Sequence, residues 1–259
     1  MGRTDRRCDA QEIHPDQAGE PEQNHRDERH MVSLRCDAVP WGKVLEALPD
    51  GLSREAVLFF DAVDLLIPAC QLQYARITEI AAAYTVAQDL IAASDDEVEA
   101  ARLRDQTADM QAMVMTDAGS FVSSIQRLRR VVKRLRGDDA LRIAKKAFEA
   151  AVSSYEPARH HLEHLDTAIP AIVPTGHGAL GAMSWFFVSQ DDSLRSIFII
   201  PGHLGEGANA TIRMESSFRR PVDHVWITIA GADYYLTGAA DAVDRLRERL
   251  AAWSMAFVG

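Results

Sequence analysis

The sequence predicts an α+β protein: an antiparallel helical bundle with a long central helix, followed by a small antiparallel β-sheet and a C-terminal helix. Three observations support this prediction. Apolar residues recur at three- and four-residue steps from residue 53 to about residue 170, as on the buried side of helices. Short β-branched and aromatic runs bounded by glycine and proline then follow, which is typical of strands. Residues 241–253 form a last amphipathic stretch.

Composition excludes several classes of protein. The chain has 259 residues, of which 47% are hydrophobic and 25% charged, which is enough apolar material for one core of roughly 200 residues. A net charge of −10 argues against a protein that coats nucleic acid indiscriminately. Three cysteines without CxxC spacing indicate a reducing compartment, so we expect a cytoplasmic protein.

The chain divides into three regions by composition. Residues 1–36 are polar and almost free of aromatic and branched aliphatic side chains, so they predict a disordered tail. Met31 is an alternative to Met1 as the initiator, since apolar patterning begins only after it. Residues 37–170 form the predicted bundle, and residues 171–259 are expected to pack on it as one globular unit. The uncharged stretch 167–190 is interrupted by proline and glycine, which argues against a membrane span.

The first half of the bundle is predicted to contain three helices. One spans residues 41–48 and ends at a turn signal. Ser53 is the expected N-cap of the second, for which Pro68 marks a boundary or kink, and a third continues over residues 72–91. Ser94 and Glu97 then have the spacing of a capping box, in which Ser94 is the N-cap of the next helix.

That next helix is the long central one. Its apolar residues keep a nearly heptad spacing until Gly137, which predicts packing along a partner helix. Asp138 or Asp139 is expected to cap another helix, and Pro157 suits the first turn of one more, with Leu162, Leu165 and Ile169 as its buried stripe. The remaining predicted elements are strands at residues 185–189, 196–200 and 225–230, a strand extension at 234–236, and a helix at 241–253.

The densest cluster of titratable side chains lies at residues 159–164. Arg159 is followed by His160, and four residues separate Arg159 from His164. In its position after a helical bundle, this pattern resembles that of the HEPN superfamily, whose small helical domains are often metal-independent endoribonucleases. The resemblance covers about residues 53–170. It implies a homodimer whose two motifs face one another, with RNA as the substrate and no cofactor or metal.

The residues themselves suit that chemistry. Cleavage of RNA by its own 2′-hydroxyl needs a base, an acid and a positive charge on the phosphate, and histidine and arginine supply these. Arg159, His164 and His160 are therefore the candidate catalytic residues. A basic cluster in the long helix predicts a track for the RNA backbone, with Arg130, Lys133 and Arg134 as its central residues.

Three other interpretations remain open. In the first, Arg159 and Glu163 form an i, i+4 ion pair on a solvated face, with His160 and His164 beside it. The second is a noncatalytic helical interaction or regulatory module that dimerises along the long helix. The third reads His160, Glu163 and His164 as the H-x-x-E-H pattern of a zinc site, with a third ligand among three glutamates. Those candidate third ligands are Glu206, Glu215 and Glu248.

Gly176, Gly178 and Gly181 match the spacing of the dinucleotide-binding fingerprint. The fingerprint requires a strand before it and a helix after it. Here a strand is predicted to follow, so we expect these glycines to form a loop.

Overall fold

Two long antiparallel helices form the centre of the structure, a computed structural model that describes residues 54–173, 178–189, 192–201, 213–215 and 217–255. These residues belong to one compact unit. The predicted disordered tail, the predicted helix over residues 41–48 and the predicted cap Ser53 lie outside the described residues.

The order of elements confirms the predicted α+β class. The helices are α1 (Arg54–Ala93), α2 (Glu97–Arg134), α3 (Asp139–Val152), α4 (Glu156–Glu163), α5 (Leu165–Ile172) and α6 (Leu236–Met255), with a 3₁₀ turn at Ser153–Tyr155 between α3 and α4. The strands are β1 (Ala182–Val188), β2 (Leu194–Ile199), β3 (Val222–Ile229) and β4 (Ala232–Tyr235).

Helix α1 corrects the prediction of two helices on either side of Pro68. It runs unbroken through the proline, although a proline removes one helical hydrogen bond. Ile67 and Cys70, on either side of Pro68, are both buried in the core, whereas Pro68 itself is exposed. Packing on both sides of the proline therefore holds the helix together across it.

The cap of α2 differs from the predicted one. Asp96 is the N-cap, and its carboxylate accepts hydrogen bonds from the backbone of Val98 and Glu99. The Ser94 hydroxyl instead accepts a hydrogen bond from the backbone of Asp96. Asp and Ser are equally good caps, so the capping-box spacing could not distinguish these positions. Asp138 caps α3, as predicted.

The apolar stripe of α2 is buried within the chain. Phe121, Ile125 and Leu128 are fully buried, and Phe121 packs against Tyr74 of α1 with ring centroids 5.7 Å apart. This stripe is therefore occupied by α1 and the neighbouring elements. It is not available for the dimer seam that the sequence placed on this helix.

The region after α3 is broken where one helix was expected. Pro157 lies in the first turn of α4, as predicted. However, α4 ends at Glu163. Its C-cap His164 has a φ of −130° and a ψ of 47°, which are not helical, and α5 starts immediately after it. Ile169 is 41% exposed, so the expected buried stripe does not extend into α5.

The strands form one antiparallel sheet with the order β2-β1-β3-β4. Every residue of β3 is buried, because β3 lies between β1 and β4 and packs against the helices. The pairing of β1 with β3 shifts between Ser184 and Phe186, and His224 on β3 has a φ of 50°. This bulge places the polar residues Asp223 and His224 inside the protein.

The sheet and the helices share one core. Trp185 of β1 is fully buried and donates its indole N–H to the Thr85 hydroxyl of α1 at 3.1 Å. Trp253 of α6 stacks on Phe60 of α1 at 5.9 Å between ring centroids. The β-rich end is therefore packed on the bundle.

Helix α1 is the described helix whose length and composition match those of a membrane span. An 18-residue window within its segment Val57–Ala93 has a mean hydropathy of 1.3, and 28% of that window is buried. A core helix of a soluble protein has the same composition, so this match is weak evidence for a membrane.

Candidate functional site

Arg159 is engaged by a carboxylate of its own helix. Its Nη1 donates to Glu163 Oε2 at 2.5 Å, and its side chain is only 16% exposed. The Nε atom is buried and has no hydrogen-bond partner among the described residues. The structure therefore contains the i, i+4 ion pair that the sequence allowed. Glu163 is bound to the Arg159 guanidinium, which is the group expected to bind phosphate.

Two imidazoles lie beside this ion pair. The rings of His160 and His164 have centroids 4.6 Å apart and are tilted by 56°, and both residues are exposed. The end of α4 sets this spacing, because the His164 backbone N–H donates to the carbonyls of His160 and His161. His161 points elsewhere, with its Nε2 3.0 Å from the carbonyl oxygen of Ala179. The two candidate histidines are thus neighbours on the surface.

A groove of about 450 Å³ adjoins the ion pair. Glu163 and Leu162 form one wall, and small side chains of α2 form the floor. Gln73 of α1 also lines the groove. The remaining lining residues are Met115, Thr116, Gly119, Ser120, Ser123, Ser124, Arg127 and Leu180.

Two carboxylates pair with part of the predicted RNA track. Glu149 contacts Lys133 at 2.5 Å and Arg129 at 3.3 Å. Glu156 contacts Arg129 at 3.1 Å and Arg130 at 3.7 Å. These contacts tie α3 and α4 to the C-terminal end of α2.

Those contacts lower the pKa of both carboxylates. The hydrogen bond from Lys133 lowers the pKa of Glu149, and the bond from Arg129 lowers the pKa of Glu156. Of the three predicted phosphate contacts, only Arg134 has no ion-pair partner among the residues that the structure describes.

The structure gives the zinc interpretation little support. Within the described parts of the chain, no group of three or more histidine, cysteine, aspartate and glutamate side chains could hold a metal ion. Two of the candidate third ligands, Glu215 and Glu248, are described, and Glu206 lies outside the described residues. A zinc site normally needs at least three protein ligands.

The glycine fingerprint is a loop at its described end. Gly181 precedes strand β1, with a φ of 84°, and Gly176 lies outside the described residues. The sequence-based expectation of a loop is confirmed for Gly178 and Gly181.

A second polar cluster, which the sequence did not reveal, joins the sheet to α6. Arg219 and Arg220 both donate to Asp241, at 2.6 and 3.0 Å. Arg220 also lies over the Tyr74 ring, 5.4 Å from its centroid. Asp223 is fully buried and accepts a hydrogen bond from the Arg219 backbone. Because Asp241 binds both arginines that precede β3, this cluster connects the start of β3 to α6.

The outer face of α1 is the main feature that the sequence analysis missed. Large apolar side chains along it are between 48% and 74% exposed. The inward stripe of α1 is also apolar, so the helix is apolar on two sides. A helix that is apolar all round is typical of a fully buried helix, and the sequence therefore did not indicate an exposed face. A signal was nevertheless present, since three leucines repeat every seven residues. The exposed residues are Leu58, Leu65, Leu72, Val86 and Leu90.

Comparisons with known proteins identify no relative. The sequence matches no family model, and searches of curated proteins and of solved structures find no match.

Proposed function

We propose that this protein is a noncatalytic helical interaction module that forms a homodimer through the outer face of α1. The observation that carries this proposal is the row of exposed leucines on that face. Leu65 is 74% exposed, Leu58 57% and Leu72 50%. Monomeric soluble proteins rarely leave a contiguous apolar surface of this kind uncovered.

The seven-residue spacing of the leucines indicates that a second helix packs on this face. Leu58, Leu65 and Leu72 are separated by seven residues each, and Ala62 and Ala69 lie between them at the complementary heptad positions. In such a seam, side chains of a second helix pack into the spaces between the side chains of the first. Fully burying one leucine contributes about 1.5–3 kcal/mol, and a twofold interface uses each residue twice.

Charge distribution supports this proposal over RNA binding. The chain has a net charge of −10. In its main basic cluster, Arg129, Arg130 and Lys133 are paired with Glu149 and Glu156. Arg159 is paired with Glu163. A phosphate backbone would compete with these carboxylates at the paired residues, whereas a second apolar helix face would not.

The test is the oligomeric state of the purified full chain. We expect a dimer for the wild type by sedimentation equilibrium, and monomers for Leu65→Glu and Leu72→Glu. Ile143→Glu is the matched control, because Ile143 is a 60% exposed apolar residue on α3, and this variant should remain dimeric. Circular dichroism verifies that all variants are folded.

A wild-type monomer at high micromolar concentration would overturn the proposal. So would dissociation of the Ile143→Glu control alone. Flotation of the wild type with lipid vesicles, lost in the Leu65→Glu variant, would replace the second copy with a membrane as the occupant of this face.

A second candidate function is metal-independent RNA cleavage, favoured by the exposed imidazole pair. His160 and His164 lie 4.6 Å apart beside Arg159, so one ring can take a proton while the other gives one. Arg159 would hold the phosphate after Glu163 is displaced. Cleavage of an RNA pool in excess chelator, lost in His164→Ala, His160→Ala and Arg159→Ala, would establish this function.

The matched control for cleavage is Arg142→Ala. Arg142 is exposed and forms an i, i+3 ion pair with Asp139, so it reproduces the loss of a surface arginine outside the motif. Glu163→Gln supplies a further test, because releasing Arg159 should raise the affinity for RNA. Equal inactivity of all these proteins eliminates the second candidate.

A further inference from the structure

Eleven positions along α1 form one continuous heptad row, which we call the α1 seam. They follow one another at alternating four- and three-residue steps, and each is exposed or half-buried. Leucine and alanine alternate in the first half, and two charged residues occupy the middle. The positions are Leu58, Ala62, Leu65, Ala69, Leu72, Arg76, Glu79, Ala83, Val86, Leu90 and Ala93.

Resting on the proposed dimer, we infer that the second copy docks antiparallel, with Arg76 of each chain opposite Glu79 of the other. The twofold axis then crosses the seam between these two residues. Because an antiparallel twofold pair repeats every contact, two reciprocal ion pairs form at the centre of the interface. A polar pair at seam positions fixes the register of a coiled coil at some cost in stability.

In the two layers next to the charged pair, this register also places a large side chain opposite a small one. Moving outward from the axis, Leu72 faces Ala83 of the second copy, and Ala69 faces its Val86. Large residues opposite small ones allow two helices to pack closely without voids. The next layers place Leu65 against Leu90 and Ala62 against Ala93, so the matching of large with small residues is confined to the layers near the axis.

A parallel arrangement lacks both forms of complementarity. It would place Arg76 against Arg76 and Glu79 against Glu79, and like charges across an interface are destabilising. It would also place Leu72 against Leu72 and Ala69 against Ala69, so that the layers near the centre alternate between wide and narrow. Charge and volume therefore favour the antiparallel pair.

Both charged residues are available for this contact. Glu79 is exposed and has no ion-pair partner among the described residues. Arg76 contacts Asp117 through Nε at 3.2 Å, while its side chain remains 52% exposed. A guanidinium has five N–H donors, so the Nη groups can reach a second carboxylate while Nε keeps Asp117.

Charge reversal tests the central pair. Arg76→Glu and Glu79→Arg should each raise the dissociation constant of the dimer about a hundredfold, because the symmetry counts each repulsion twice. The double variant Arg76→Glu/Glu79→Arg should restore most of the affinity. Because residue 76 also contacts Asp117, the charge-reversal variants and their reference chain carry Asp117→Asn. Failure of the double variant to recover in this background, with the fold intact by circular dichroism, would overturn the register.

Disulfide trapping tests the orientation independently. We would place Ala62→Cys and Ala93→Cys together in a chain carrying Cys8→Ser and Cys36→Ser, and oxidise it with oxidised glutathione. Cys70 remains because it is buried, and burial raises the pKa of its thiol to about 12. Residues 62 and 93 lie about 46 Å apart along one helix, so a disulfide between them must join two chains.

A covalent dimer from the double-cysteine chain and none from Ala62→Cys alone is the expected result. A covalent dimer from Ala62→Cys alone would establish a parallel pair and overturn the inference. A dimer by sedimentation that fails both tests leaves the proposed function standing without this register. A monomeric wild type removes both proposals.

Discussion

Replacing Arg129 with glutamine is expected to lower the free energy of unfolding by about 2 kcal/mol. The guanidinium is only 13% exposed and donates to Glu149 at 3.3 Å and to Glu156 at 3.1 Å. It also donates to Gln126 Oε1 at 3.2 Å. A hydrogen bond to a charged group contributes about 1.5–3 kcal/mol. The partly exposed carboxylates reduce that figure, because solvent screens them.

Thermal unfolding would measure this loss. For a domain of this size, about 2 kcal/mol corresponds to a fall in Tm of roughly 4–8 °C. Arg130→Gln is the control, since Arg130 is 53% exposed and lies 3.7 Å from Glu156, and it should cost less than about 0.5 kcal/mol. Equal losses in the two variants would refute the argument that Arg129 joins α2 to α3 and α4.

Three further predictions concern the fold. Asp96→Ala should cost about 1 kcal/mol in chemical denaturation because it removes the cap of α2, whereas a larger loss in Ser94→Ala would contradict the assignment of the cap. Gly181→Ala should cost about 2 kcal/mol or more, because φ is +84° and the new Cβ would lie 2.1 Å from a backbone oxygen of β3. Gly119→Ala, where the nearest contact is an ordinary 3.6 Å, should instead stabilise α2.

A further prediction concerns pH. The pKa of Glu149 is lowered in the folded chain, so its contribution is present above the unfolded pKa and is lost as pH falls through the folded value. As pH falls below 4.5, the ordinary pKa of a glutamate, the stability of the wild type should therefore decrease more steeply than that of Glu149→Gln. Parallel unfolding curves for the two proteins would contradict this.

The helices that the sequence predicted well each have one apolar side. In α3, the inward residues Leu141, Ala144, Phe148 and Val152 are all buried, because a single stripe at helical spacing determines both the element and its orientation. The division of α1 was wrong because Pro68 weighs heavily in a local pattern, whereas the packing that overrides it involves α2 and the sheet. Local patterns do not contain that information.

For the motif at residues 159–164, too, the local sequence predicted only part of the structure. Spacing predicted that Arg159 and Glu163 could pair and that the rings of His160 and His164 could meet, and both contacts are present. Spacing did not predict that α4 ends at Glu163, since neither glycine nor proline stands next to it. The buried pair of Asp223 and His224 was equally unpredictable, because it depends on a bulge whose register is set by β1.

The two candidate functions are physically connected through the groove beside the motif. Gln73 lines that groove together with Glu163, and it lies on α1 next to Leu72, near the middle of the α1 seam. A dimer formed through the seam would therefore bring the two grooves close to its twofold axis. RNA cleavage that needs two facing motifs would then require the dimer, and Leu65→Glu would abolish it without touching the motif. Cleavage that persists in the monomeric variant would instead place the chemistry within one chain.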